Sequence, residues 1–153
     1  MDSSASITID DSLWPLLQVK FPSAFTNPQQ EQYLSRLLTY LRRGERYVGV
    51  MDTHLLKNSS SEQRQRQAEF IKEHEALFRQ YSLGTAGIVT SPLMALGARI
   101  LIHLKPMPTP FYVASSLPAA MTWAAQRLES AGLLEPAERV RRHFGLLAER
   151  RTG

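Results

Sequence analysis

Tyr47-Val48-Gly49-Val50-Met51 is a short run of β-branched, aromatic and apolar residues that contains no charged or amide side chain. Side chains of a strand alternate between the two faces of a sheet, so a run without polar positions is typical of a strand that is covered on both faces. The run lies between two long helical patterns. It therefore predicts a buried, parallel strand of an α/β domain.

The segment before this run predicts an amphipathic helix and, earlier still, a hairpin of strands. Asn27 is predicted as the N-cap and Pro28 as the first helical residue. The extended pattern of residues 16–21 predicts a main strand, and Ile7-Thr8-Ile9 predicts an edge strand before it. The apolar face of the helix is formed by Leu34, Leu37, Leu38 and Leu41.

The segment after the run continues the alternation of helices and strands. Ser59 and Glu62 fit a capping box at the start of one long helix that Gly84 separates from the next strand. Further strands are predicted at residues 86–90 and 111–113, and further helices at residues 93–104, from residue 116, and at about 135–150. This order predicts one α/β domain with a four- to five-stranded, mainly parallel sheet flanked by helices. We expect an N-terminal segment (1–12), a core (13–134) and an extra, basic C-terminal helix (135–153).

Composition limits the chemistry and suggests a location. The 153 residues include no cysteine, which excludes a disulfide scaffold, a thiolate metal site and a cysteine nucleophile, and favours a reducing cytoplasm. No stretch has the length of a membrane-spanning helix, and the acidic start lacks the pattern of a secretory signal. We therefore expect a soluble, cytoplasmic protein.

Basic residues account for the net charge of +4 and are concentrated near the C-terminus. They indicate a solvated surface and helix ends that favour cations, or else a surface that contacts phosphate. Because no aromatic interleaving or known reading motif accompanies them, nucleic acid is not an expected partner. The basic patch consists of Arg139, Arg141, Arg142, Arg150 and Arg151.

Three stretches together resemble the STAS and anti-sigma-factor antagonist-like superfamily, in particular bacterial members of unassigned role. These are Trp14-Pro15-Leu16-Leu17-Gln18-Val19-Lys20-Phe21-Pro22, Tyr47-Val48-Gly49-Val50-Met51-Asp52-Thr53, and Ala119-Ala120-Met121-Thr122-Trp123-Ala124. The resemblance spans residues 14–133 and implies a STAS-like sheet with a role in protein interaction. In such proteins a serine or threonine after a central strand is phosphorylated to switch partner binding. This sequence departs from that pattern, because Thr53-His54-Leu55 replaces the serine-glycine pair behind the aspartate.

Two segments are candidate binding sites. The loop with Asp52, Thr53, His54 and Ser59 follows a central strand, where α/β sheets often bind ligands, so it predicts a partner loop or a phosphorylation switch, or simply local capping. The helix at 93–104 is apolar on nearly every side, which predicts either burial between the sheet and the C-terminal helix or an interface. Its relevant residues are Leu93, Met94, Leu96, Arg99, Ile100, Leu101, His103 and Leu104.

Reactive centres are not evident. The four histidines lie in different predicted elements without metal-ligand spacing, and neither a nucleophile elbow nor a phosphate-binding glycine loop occurs. We therefore expect no metal, no cofactor and no catalytic residue. The first hypothesis is a non-catalytic regulatory module that docks another protein or a second copy of itself. The alternative is a carrier of a small molecule or lipid, since related sheet folds include lipid-transfer proteins of the CRAL-TRIO type; it requires an apolar cavity beside the apolar helix.

Overall fold

The computed structural model describes residues 6–146, in which strands alternate with helices. The strands are β1 (Thr8–Asp10), β2 (Leu16–Lys20), β3 (Tyr47–Asp52), β4 (Ser82–Ile88) and β5 (Phe111–Ala114). The helices are α1 (Asn27–Leu41), α2 (Ser61–Glu73), α3 (Glu75–Tyr81), α4 (Pro92–Leu104), α5 (Leu117–Ser130) and α6 (Leu134–His143).

The five strands form one sheet in which every strand lies beside its neighbour in the chain. The order is β1-β2-β3-β4-β5; β1 is antiparallel to β2, and the other pairs are parallel. Right-handed crossovers between consecutive parallel strands place their helices on a single face, so α1 to α4 lie on one face of the sheet. The chain after β5 covers the other face with α5 and α6. The predicted fold class, a mainly parallel α/β domain, is confirmed.

Each face of the sheet has its own hydrophobic core. Alternate residues of β3 supply both cores, since Val48 and Val50 point to the α5 side while Tyr47 points to the α1 side. The α5 side is the more completely filled, and its central residues are fully buried: Leu16, Val48, Met121, Leu128 and Val140. Val140 belongs to α6, so the predicted C-terminal helix is an integral part of this core.

Both predicted N-caps are shifted by one residue, and both helices begin with a capping box. Thr26, rather than Asn27, caps α1: its Oγ1 accepts a hydrogen bond from the Gln29 amide at 3.2 Å, and the Gln29 side chain accepts one from the Thr26 amide at 2.8 Å. Ser60, rather than Ser59, caps α2 in the same reciprocal way with Gln63, rather than Glu62. In both cases a glutamine at the third helical position supplies the reciprocal acceptor.

The long helix predicted after residue 62 is two helices. His74, with φ −114° and ψ 25°, leaves the helical region and separates α2 from α3. The prediction that Gly84 separates helix from strand is also wrong, because β4 begins at Ser82 and includes Gly84 at φ +136°. A side chain at Gly84 would meet the Trp123 ring at 2.8 Å and the Pro110 carbonyl oxygen at 2.9 Å, so the strand needs a glycine there.

The two ends of the described chain belong to the same body as the rest. β1 is an edge strand of the sheet, as the pattern around Ile9 predicts, and pairs with β2. α6 ends at His143, whereas the sequence predicts a helix to about residue 150, part of which lies outside the described residues. Within residues 6–146, no helix is long and apolar enough to cross a membrane.

Candidate functional site

An apolar cavity of about 370 Å³ lies between the sheet and the helices of the α1–α4 face. We call it the sheet–helix cavity. Its volume falls within the range of about 300–1,000 Å³ that is usual for small-molecule sites. Strands β2 to β5 form its floor, all four helices of this face contribute to its walls, and the connection from α4 to β5 closes one end.

The floor of the cavity is one row of residues in register across four strands. Leu17 pairs with Gly49, Gly49 with Thr85, and Thr85 with Phe111. The two central members of the row are small, so the helices above them do not reach the sheet. Without a Cβ at Gly49, the nearest side-chain atom to that position is Thr85 Oγ1, at 3.6 Å from where a Cβ would be. The depth of the cavity therefore comes from Gly49 and Thr85.

The walls of the cavity are mainly hydrocarbon and aromatic, with polar side chains from Thr53, Gln67 and Thr109. On the β2 side they come from α1, and on the opposite side from Ile102 of α4 and from Met107. The exposed Ala68 of α2 forms part of the rim. The remaining apolar wall residues are Tyr33, Leu37, Ile71, Phe78 and Pro108. Such a lining favours an apolar molecule over water.

The phenol groups in the cavity wall remain neutral at ordinary pH. Burial raises the pKa of Tyr47 to about 12, although a hydrogen bond with Ser82 opposes the shift. Burial also raises the pKa of Tyr33 strongly, against a hydrogen bond with Gln67. Neither phenol brings a negative charge into the cavity.

One cation lies at the rim of the cavity. Arg64 lines it and is exposed, and its Nη1 donates hydrogen bonds to the Ser59 carbonyl oxygen at 2.5 Å and to Ser59 Oγ at 3.3 Å. These bonds engage one of its nitrogens, while a guanidinium has five N–H donors in all. The cavity thus combines a hydrocarbon interior with a positive charge at its edge.

The predicted switch loop is held by hydrogen bonds within the chain. Asp52 Oδ1 lies 2.6 Å from His54 Nδ1 and accepts a hydrogen bond from the His54 amide at 3.0 Å. Thr53 Oγ1 donates to the Ile88 carbonyl oxygen at 2.7 Å, and Thr53 also lines the sheet–helix cavity. Phosphorylation of Thr53 would remove this hydroxyl donor from the end of β4. Ser59 holds Arg64 at the rim, which connects the loop to the cavity.

The predicted interface helix is exposed. α4 lies on the face opposite α6, so the predicted alternative of burial between the sheet and the C-terminal helix is wrong. Arg99 Nη2 donates to the Val113 carbonyl oxygen at 3.4 Å, and Ala95 is buried, which fixes the inward side of α4. The large apolar residues point outward: Leu93, Met94, Leu96, Ile100, Leu101 and Leu104 are all exposed, as is His103.

The described residues of the basic patch have different surroundings. Arg141 is buried, and its Nη2 donates to Glu129 Oε1 at 2.5 Å. Arg139 pairs with Glu135 at 3.2 Å, and Arg142 is exposed. Arg150 and Arg151 lie outside the described residues. Arg141 therefore links α6 to α5 rather than presenting a charge to a partner.

The carrier hypothesis requires a cavity, but of the described candidate site residues predicted from the sequence only Thr53 lines it. The informative signal is the coincidence of Gly49 and Thr85 in adjacent strands, which requires the strand register to be known. No protein-family model and no curated protein matches this chain. The resemblance to the STAS superfamily stays a prediction.

Proposed function

We propose that this protein binds an apolar small molecule, of the class of a fatty acyl chain, in the sheet–helix cavity. The single observation that supports this function most is a cavity of about 370 Å³ with a hydrocarbon interior. Burying the apolar surface of such a ligand contributes about 25 cal/mol for each Å² removed from water. Few polar groups lose their contact with water on binding, because the wall is mainly apolar, so the cost of desolvation is small. The protein would then act as a carrier or ligand sensor, and the absence of cysteine in the sequence supports a cytoplasmic location.

The rim cation favours a ligand with one anionic end. Arg64 lies where the polar end of a molecule with its tail in the cavity would emerge, and its hydrogen bonds to Ser59 hold it there. A carboxylate at the rim would form a charge-assisted hydrogen bond with the guanidinium. Because Arg64 is exposed, we expect this contact to contribute about 1 kcal/mol, or about fivefold in affinity.

The test is a titration with a dansyl-labelled undecanoic acid, whose fluorescence rises when the dansyl group leaves water. We expect saturable binding of one probe per chain. Ala68→Trp places a large side chain on the rim of the cavity and should weaken binding at least tenfold. The matched control is Ala76→Trp, at an alanine of α3 that is also exposed but does not line the cavity, and it should bind like the wild type.

Two further measurements separate the parts of this proposal. Arg64→Gln should weaken the carboxylate probe about fivefold and leave its methyl ester unaffected, because only the carboxylate can pair with the guanidinium. Native mass spectrometry of protein purified from cells should show an apolar adduct. A linear, non-saturating fluorescence rise, or equal binding by Ala68→Trp and the wild type, would show that the cavity is not the site.

A second candidate is a STAS-like regulatory module that docks another protein. The exposed apolar side of α4 favours a docking surface of some kind. The loop after β3 adds less support, since Asp52, Thr53 and Ser59 already form hydrogen bonds within the chain. We therefore place ligand binding in the cavity first.

A further inference from the structure

The outward side of α4 is the most apolar exposed surface of the described chain. Leu93 is 79% exposed, Leu104 71% and Leu101 60%, and three more large apolar side chains of the same helix are also exposed. A helix on the surface of a globular protein normally turns its apolar side inward and its polar side to water. α4 has the reverse arrangement, because its inward side carries the small Ala95 and the cavity residue Ile102.

Helical geometry makes these exposed side chains one continuous stripe. At 3.6 residues per turn, Leu93, Ile100 and Leu104 lie almost in line along the helix axis. Met94 and Leu101 widen the stripe on one side, and Leu96 widens it on the other. The stripe spans the whole length of α4, which is 13 residues. It has the shape of the apolar side of a helix that lies flat on a surface.

The charged residues of α4 and its C-cap are basic. Arg99 lies to one side of the stripe and Lys105 follows the last turn, while the sequence has no acidic residue between Glu75 and Glu129. Cations beside an apolar stripe, without nearby acidic residues in the sequence, complement a layer of negative headgroups above hydrocarbon.

We propose that α4 docks on the surface of a membrane that contains anionic phospholipids, with its apolar stripe at the boundary between headgroups and acyl chains. A second copy of the chain fits less well, since a symmetric interface would bring the cations of two α4 helices together without acidic partners from this region. The ends of the chain outside the described residues, 1–5 and 147–153, are mostly small, polar or charged, so they do not match the stripe.

The test is flotation of the full chain with vesicles in a density gradient. Vesicles made of equal parts phosphatidylcholine and phosphatidylglycerol should carry the protein up the gradient, and vesicles of phosphatidylcholine alone should carry less. Raising the salt concentration should reduce the difference, because it screens the attraction between cations and headgroups. A Met94→Trp variant should show a blue shift of its emission on mixed vesicles, because the new indole would leave water.

Two matched leucines give the decisive comparison. Leu101 of α4 and Leu134 of α6 are both 60% exposed, but they lie on opposite faces of the sheet. Leu101→Glu should lower the partition coefficient for mixed vesicles at least tenfold, because it places a negative charge in the stripe. Leu134→Glu should leave partitioning unchanged. Ala68→Trp should also leave it unchanged, so the failure of the cavity proposal and the failure of this one are distinguishable.

Other outcomes would overturn the proposal. One is the absence of flotation with either kind of vesicle, and another is an equal loss of binding in Leu101→Glu and Leu134→Glu. Light scattering without lipid provides the third: a dimer that Leu101→Glu dissociates, together with no vesicle binding, would assign the stripe to a second copy of the chain.

Discussion

Gly49→Leu should make the protein more stable and at the same time abolish ligand binding. Gly49 is at the centre of the cavity floor, and a Cβ placed there would meet Thr85 Oγ1 at 3.6 Å and Thr85 Cγ2 at 3.9 Å, which are ordinary van der Waals contacts. The rest of a leucine side chain would extend into the space of about 370 Å³ above the sheet. The substitution therefore fills the cavity from its floor without displacing the backbone.

The expected gain in the free energy of unfolding follows from the area that the new side chain buries. Four added carbons at about 0.8 kcal/mol each would contribute about 3 kcal/mol if they were fully buried. Replacing glycine inside a strand adds about 0.5–1 kcal/mol, while imperfect packing in a new environment removes about 1–2 kcal/mol. A net gain of about 2 kcal/mol should raise the melting temperature by about 4–8 °C.

The assay is thermal unfolding with and without the dansyl-labelled acid. At a ligand concentration of about one hundred times Kd, the wild type should gain about 2.7 kcal/mol, whereas Gly49→Leu should gain none. Gly49→Ala is the control, since a methyl group leaves most of the cavity open and should preserve the ligand-induced shift. A Gly49→Leu protein that is less stable than the wild type yet still stabilised by ligand would refute the reasoning.

Three further predictions concern the stability of the fold. Gln63→Leu removes an amide that donates to the Phe25 carbonyl oxygen at 2.8 Å in a buried position, so it should lower the free energy of unfolding in urea by about 2–3 kcal/mol; an unchanged midpoint would contradict this. Because burial raises the pKa of Tyr47 from the ordinary 10 to about 12, its neutral form stabilises the fold fully below pH 10, and this stability is lost between about pH 10 and 12. Tyr47→Phe should therefore make the melting temperature fall less steeply over that range, and an unaltered slope would count against the burial argument. Gly84→Ala should cost about 3 kcal/mol or more in thermal unfolding, because the new Cβ would overlap neighbouring atoms at 2.8 and 2.9 Å, whereas Gly97→Ala, with open space around it and a better helix former in α4, should gain about 1 kcal/mol.

The order of elements could be predicted from the sequence because the signals are local. The apolar run in β3 and the proline and glutamine positions at the start of α1 each depend on a few neighbouring residues. The predicted N-caps each lie one residue from the observed ones, because Thr26-Asn27 and Ser59-Ser60 each offer two adjacent side chains that can cap a helix. Only the three-dimensional path of the chain decides which hydroxyl meets the amide three residues later.

The cavity and the orientation of α4 could not be predicted in the same way. The cavity depends on the alignment of Gly49 with Thr85, and register between parallel strands is set by the whole sheet. The apolar sequence of α4 is compatible with burial or exposure, and only its position over β5 shows that Ala95 is inside and Leu93 outside. Both features come from contacts that are distant in sequence.

The strand order has a consequence for how the chain folds during synthesis. Because every strand pairs with the one made just before it, the sheet can grow stepwise as the polypeptide leaves the ribosome, with little loop entropy to overcome at each addition. The side chains of Val48, Val50 and Ile88, however, have no cover until α5 and α6 have been translated. A nascent or prematurely terminated product that ends soon after β5 should therefore be a substrate for chaperones, although it would contain all five strands and four of the six described helices.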